Sequence, residues 1–116
     1  MHSDRQLKSL CYHMKNKPIV YGIRCTVTNM VYIGSTFTPQ ERFYAHLRSG
    51  FSSNLGLQLA IKQYGLQKFT VLIFNIVSFP PNADYGLRAK ILRQQEQALM
   101  DLFPNSQLYN SVKAFA

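Results

Sequence analysis

"VYGIRCTVTNMVYIGST", residues 20–36, decides the fold. Its two runs of β-branched and aromatic residues are split by a short polar stretch, the pattern of two strands joined by a turn. The reading is a β-hairpin with strands over Ile19 to Thr26 and Met30 to Gly34 and a turn near Thr28 and Asn29. Two tyrosines, Tyr21 and Tyr32, stand eleven positions apart within it. Strand aromatics ordinarily pack cores, and that role is open for both phenols.

Beyond the hairpin, Thr38-Pro39-Gln40-Glu41 places Thr at a cap position, Pro at the first helical position and Glu three after the cap. These residues satisfy the free amides of a helix N-terminus. The helix is expected to run to about Ser49 and stop at Gly50, with Phe43 and Leu47 on its buried side. Arg42 and His46, four apart, share another face of it. A second helix starts near Ser53 or Asn54, is marked by Leu55, Leu59 and Ile61, and closes at Tyr64-Gly65. A third strand spans Lys68 to Val77. The loop Phe79 to Asp84 contains Pro80-Pro81, which neither donates to a ladder nor continues a helix. Leu87, Ile91, Leu92, Gln95, Ala98, Leu99, Leu102 and Phe103 then describe one broad face of a long helix, ended by Pro104-Asn105.

The order ββααβα defines an α+β fold, a small three-stranded antiparallel sheet flanked by helices. Ahead of it, Leu7, Leu10, Cys11 and Met14 recur at helical spacing after Ser3 and end in KNKP, so residues 1–17 read as a basic N-terminal appendage to a domain over 18–116.

A chain of 116 residues, 47% of them hydrophobic, can build one core and is too short for two ordinary domains. Thirteen Lys and Arg against five acids leave a net charge of +8, spread along the chain. That balance favours a polyanion such as nucleic acid, although charge alone also admits an anionic membrane surface. Cys11 and Cys25 supply neither a disulfide framework nor a CxxC metal spacing, which points to a reducing compartment. No segment approaches the roughly 20 apolar residues of a membrane helix, and MHSDRQLKSL lacks the apolar core of a secretory signal. The expectation is a soluble, intracellular protein with no membrane partner.

Acid chemistry has few places to reside. Asp4 lies in the appendage, Glu41 at a cap, Asp84 at a helix start and Asp101 near a helix end, which leaves Glu96 at the edge of the apolar arc of the last helix. A boundary glutamate and a divalent-metal ligand are both open readings. If a metal is held, one carboxylate disfavours a two-metal clamp and suits a single hard cation completed by phosphate oxygens and water.

Together and in this order, these residues resemble the GIY-YIG nuclease family. Val31-Tyr32-Ile33-Gly34-Ser35 stands as the second half of the family signature, and Tyr21 falls where the tyrosine of the first half belongs. Arg42 and His46, ten and fourteen residues after Tyr32, match the spacing of the family's arginine and helical histidine, and "EQALMDLFPNSQLYN" supplies Glu96 and Asn110. The resemblance covers Pro18 to Val112. "YGLQKFTVLIF" and "QLYNS" are similar to stretches in the nuclease domains of intron-encoded homing endonucleases, organellar ones included. One position departs: where the family has Gly-Ile-Tyr, this chain has Ile19-Val20-Tyr21, with Gly22 after the tyrosine. Tyr21 is taken as the equivalent residue and the lost glycine as a local backbone change.

The resemblance implies a DNA endonuclease that hydrolyses phosphodiester bonds with one Mg2+ or Mn2+. It implies that Tyr21 or Tyr32 orients and deprotonates the water, His46 takes up the proton, Arg42 binds the phosphate, Glu96 holds the cation and Asn110 orients the site. Gly34 and Ser35 are expected to permit close backbone approach. Homing would place the protein in an organelle, the mitochondrion first; with the sequence ending at SVKAFA, the expectation is a recognition domain that is separate or missing, in a fragment, a degenerate reading frame or a partner-dependent enzyme. Two other readings stay open: a nucleic-acid-binding module that cuts nothing, and a structure-specific repair nuclease.

Overall fold

The computed structural model describes residues 17–43 and 54–111. Three strands form one antiparallel sheet: β1 (Ile19–Cys25), β2 (Val31–Thr36) and β3 (Phe69–Ile76), in the order β2-β1-β3. β1, the most buried strand, is central, and its two neighbours are the edges. The hairpin closes through Cys25 N–H donating to Met30 O and Asn29 N–H to Cys25 O, both at 2.9 Å. Asn29 takes the left-handed conformation (φ 61°). Asparagine tolerates that region better than most residues, and its side chain accepts from the Arg24 guanidinium at 2.9 Å.

Period-two alternation sends β1 to two cores. Ile19, Tyr21, Ile23 and Cys25 face one way and join Phe69 and Val71 of β3 against helix α2 (Leu55–Tyr64). Val20, with Val31 and Ile33 of β2, faces the other way and packs under helix α3 (Tyr85–Met100) through Leu92, Ile91 and Leu99. The sheet is thus the middle of three layers. The described part of the helix after β2, α1, is Pro39–Phe43. The expected course of that helix to Ser49, with Leu47 and His46, lies outside the described residues, as does the appendage through residue 16.

Asn54 caps α2 by accepting from Leu57 N–H at 2.8 Å, and Asp84 caps α3 by accepting from Leu87 N–H at 2.8 Å. Gly65, at φ 87°, ends α2. Three sequence expectations are corrected. The buried stripe of α2 is Gly56, Leu57, Ala60 and Ile61, so Leu59 faces outward and is half exposed. On α3, Leu87 and Leu102 are exposed and do not belong to the buried face. That helix also ends at Met100, before Pro104: Leu102 N–H and Phe103 N–H donate to Leu99 O and Met100 O, each at 3.0 Å, and these tighter i to i−3 bonds close the last turn.

After that turn the chain returns to the free edge of β2. Leu108 forms an isolated parallel bridge with Val31, and Tyr109 is buried in the α2-side core with its hydroxyl 3.2 Å from Thr28 Oγ1. The tail therefore covers part of an edge that would otherwise present unpaired amides.

Candidate active site

β1 pairs with β2 in unbroken register from Ile19↔Thr36 to Arg24↔Val31, but its pairing with β3 shifts between Val20 and Tyr21. An extra β3 residue is accommodated there, as at a β-bulge. Gly22 has its own purpose: a Cβ on it would stand 2.6 Å from the Phe74 ring.

Tyr21 is 1% exposed and lies opposite Gly34 in the hairpin register. Its ring occupies the space a residue-34 side chain would take, since a Cβ on Gly34 would meet both Cζ and Oη at 2.7 Å. The glycine of the second motif thus makes room for the tyrosine of the first. Tyr32, opposite Ile23, projects from the same face; its ring centroid is 6.3 Å from that of Tyr21, with planes tilted by 56°.

The phenols hydrogen-bond to each other, and the bond raises the pKa of Tyr21 while lowering that of Tyr32. Burial pushes the Tyr21 phenol far above its ordinary value, with Tyr32 and Glu96 adding to the shift and Arg42 opposing it. Tyr32 is also raised, by burial first and then by Glu96, while Arg42 and the Tyr21 bond pull it down. Burial therefore favours the neutral form of both phenols.

Glu96 sits one layer away on α3. Its Oε1 accepts from Ser35 Oγ at 2.8 Å. Burial raises its pKa, while the Ser35 hydroxyl and backbone N–H, Arg42 and Arg93 favour the charged form. The register sends Ser35 to the α3 face and the phenols to the α2 face. Even so, Glu96 and the exposed Arg42 both act electrostatically on the two phenols. The four groups meet about β2, whose outer edge the tail covers at Val31 and Ile33.

Asn110 reaches β2 from the tail. Its Oδ1 accepts from Ile33 N–H at 2.8 Å and its Nδ2 donates to Ile33 O at 2.7 Å. The carboxamide acts as one more strand residue, holding the backbone between Tyr32 and Gly34. Of the sequence-based site residues, Tyr21, Tyr32, Arg42, Glu96 and Asn110 gather at β2, and His46 lies outside the described residues.

Ser35 was assigned only a backbone role from the sequence, and the structure makes it the partner of Glu96. Arg93 was missed, though its spacing three before Glu96 on a helix signals a shared face. Among the described residues no three His, Cys, Asp or Glu side chains gather into a metal cage. A lone, half-buried carboxylate oriented by a hydroxyl fits one hard divalent cation whose other ligands are water and phosphate oxygens.

A three-stranded sheet between helices, with paired phenols on its edge hairpin and one carboxylate on the covering helix, defines a small catalytic domain of nuclease type. Residues 17–110 match the model of the GIY-YIG catalytic domain, and the chain belongs to that family. It is 30% identical over 110 residues to "Probable intron-encoded endonuclease 1" of Neurospora crassa, an alignment covering 95% of this chain and 35% of that protein. The chain thus spans about a third of the curated relative it matches. Among solved structures, the catalytic domain of homing endonuclease I-TevI superposes with a TM-score of 0.58 at 22% identity, over 84% of this chain and 100% of that one. A point mutant of that domain gives 0.59 at 22% identity, over 85% and 97%. Both share the α+β fold read from the sequence.

Proposed function

We propose that this chain is the catalytic domain of a divalent-metal-dependent DNA endonuclease of the intron-encoded homing type. The observation that carries the reading is the hydrogen-bonded Tyr21–Tyr32 pair, set against the edge of β2 with the Arg42 guanidinium and the Glu96 carboxylate both acting on it. Phosphodiester hydrolysis needs a bound phosphate, an oriented water and a stabilised leaving oxygen. Arg42, exposed and planar, binds the phosphate oxygens. Tyr32 orients the attacking water and takes its proton as its own hydroxyl proton is passed on, while the hydrogen bond with Tyr21 holds that phenol in place. By the family resemblance, His46 takes the proton onward. Glu96, steadied by Ser35, would hold one Mg2+ or Mn2+, which would supply Lewis-acid stabilisation for the departing 3′ oxygen.

DNA is the partner that the charge of +8 and this site support together. Sequence recognition falls to a separate domain, and the homing reading places the protein in an organelle, the mitochondrion first. Nicking of supercoiled plasmid in Mg2+ or Mn2+, abolished by EDTA and by Glu96→Gln, is the expected result. DNA binding without nicking in either metal would overturn the enzymatic reading in favour of a binding module. Cleavage confined to branched junctions would make the protein a structure-specific repair nuclease.

A further inference from the structure

Tyr85 opens α3 and is 74% exposed, more than any other aromatic side chain among the described residues. It is nevertheless fixed in place. Its ring lies against Phe37 (centroids 5.6 Å apart, planes at 36°), Phe37 lies against Phe79 (6.1 Å), and the Arg88 guanidinium covers Phe79 at 5.6 Å. Arg88 is itself anchored by donating from Nε to Ala83 O at 3.1 Å. A row of rings backed by a cation thus holds one aromatic ring out in solvent, where apolar surface is unfavourable unless something covers it.

A cavity of about 460 Å3 lies beside that ring, lined among others by Ser35, Thr36, Thr38, Arg42, Tyr85 and Arg93. Its volume falls within the roughly 300–1,000 Å3 of small-ligand sites. It combines two aromatic rings, Phe37 and Tyr85, two guanidinium groups and the hydroxyls of Ser35, Thr36 and Thr38, and no carboxylate lines it. A flat ring beside anion-binding forks is the chemistry that receives a nucleotide, with the base on the ring and the phosphate on the arginine. The cavity also adjoins the cleavage centre, because Arg42 lines both and Ser35 holds Glu96.

We propose that this cavity is a stacking subsite for an unpaired nucleotide beside the scissile phosphate, with Tyr85 as its platform and Arg93 on its flanking phosphate. The proposal rests on the endonuclease reading above and deepens it. Paired duplex hides its base faces, so only a nucleotide displaced from the stack can occupy the ring. The subsite therefore makes local unpairing next to the cut a determinant of where the domain acts.

The test uses a duplex with a single unpaired 2-aminopurine, a fluorescent base that stacking quenches, placed beside the mapped cut and compared with its fully paired counterpart. In EDTA, the wild-type chain should quench the unpaired probe. In Mg2+, single-turnover cleavage of the unpaired substrate should exceed that of the paired one by about tenfold, the scale of one base–aromatic stack. Tyr85→Ala should lose both the quenching and the preference, and Tyr85→Phe, which keeps the ring, should retain both. Equal cleavage of the two substrates by the wild type, or quenching and preference kept in Tyr85→Ala, would overturn the subsite. If the wild type cuts no DNA in either metal, the endonuclease reading fails. The probe, moved along the duplex in EDTA, then decides the subsite alone: quenching lost in Tyr85→Ala supports it, and no quenching at any position overturns it.

Discussion

Tyr21 and Gly34 are cross-strand partners in the hairpin, and the tyrosine hydroxyl lies where a Cβ on residue 34 would be only 2.7 Å away. Gly34→Ala forces that ring aside in a packed core, with an expected cost of about 1–3 kcal/mol. It should also misplace the phenol that fixes Tyr32. Urea denaturation reads the first effect and plasmid nicking the second. A variant as stable and active as the wild type would show that the two residues are not coupled.

Phenylalanine separates the hydroxyls from the rings. Tyr21→Phe and Tyr32→Phe should leave circular dichroism and DNA affinity nearly unchanged and slow single-turnover cleavage by about 10²-fold or more, as for general acid–base groups. Because the two phenols share one hydrogen bond, the double variant should be little slower than either single one. Independent, multiplicative losses would contradict a joint role.

Glu96→Gln should abolish cleavage and leave DNA binding within a few-fold, since it removes the proposed metal ligand and no proposed phosphate contact. Ser35→Ala removes only the hydroxyl that orients the carboxylate and should cost about 10- to 100-fold, much of it restored by raising Mn2+. Metal titrations of nicking in both variants check this. Cleavage in Mg2+ by the Gln variant would remove Glu96 from the site.

Asn110 carries two bonds to one residue of an edge strand. Asn110→Ala leaves Ile33 N–H and C=O without those partners, an expected loss of about 1–3 kcal/mol. If the carboxamide positions β2 without touching substrate, kcat should fall while KM for DNA stays put. A rise in KM alone would mean that Asn110 contacts DNA.

Binding should weaken steeply with salt and depend little on sequence, because a basic surface meets phosphates first. Affinities at about 50 and 200 mM salt should differ by some orders of magnitude if six or more phosphates are contacted. Fluorescence anisotropy with unrelated duplexes measures both properties, and a salt-insensitive, sequence-selective complex would count against it.

The hairpin, the caps at Asn54 and Asp84 and the stop at Gly65 were legible because each rests on local chemistry: alternation, a side chain that accepts from a helix amide, a glycine at positive φ. Leu59, Leu87 and Leu102 were misjudged because hydrophobicity marks what can be buried, while the neighbour that buries it comes from elsewhere in the chain. The motif residues Tyr21, Tyr32, Arg42, Glu96 and Asn110 could be picked out by type and spacing.

Their relationships could not. Ser35 and Glu96 are 61 residues apart, and Ile33 and Asn110 are 77 apart. No periodicity links positions so distant. Sequence alone determined the elements and their order, because these follow from short-range spacing and backbone preference, and its motifs carried the resemblance to the family. Only the tertiary structure decided that Gly34 is the seat of Tyr21, that Ser35 orients Glu96, that Asn110 clamps a strand and that Tyr85 stands exposed over a cavity. Each of those depends on which faces the sheet brings within a few ångströms, and packing sets that.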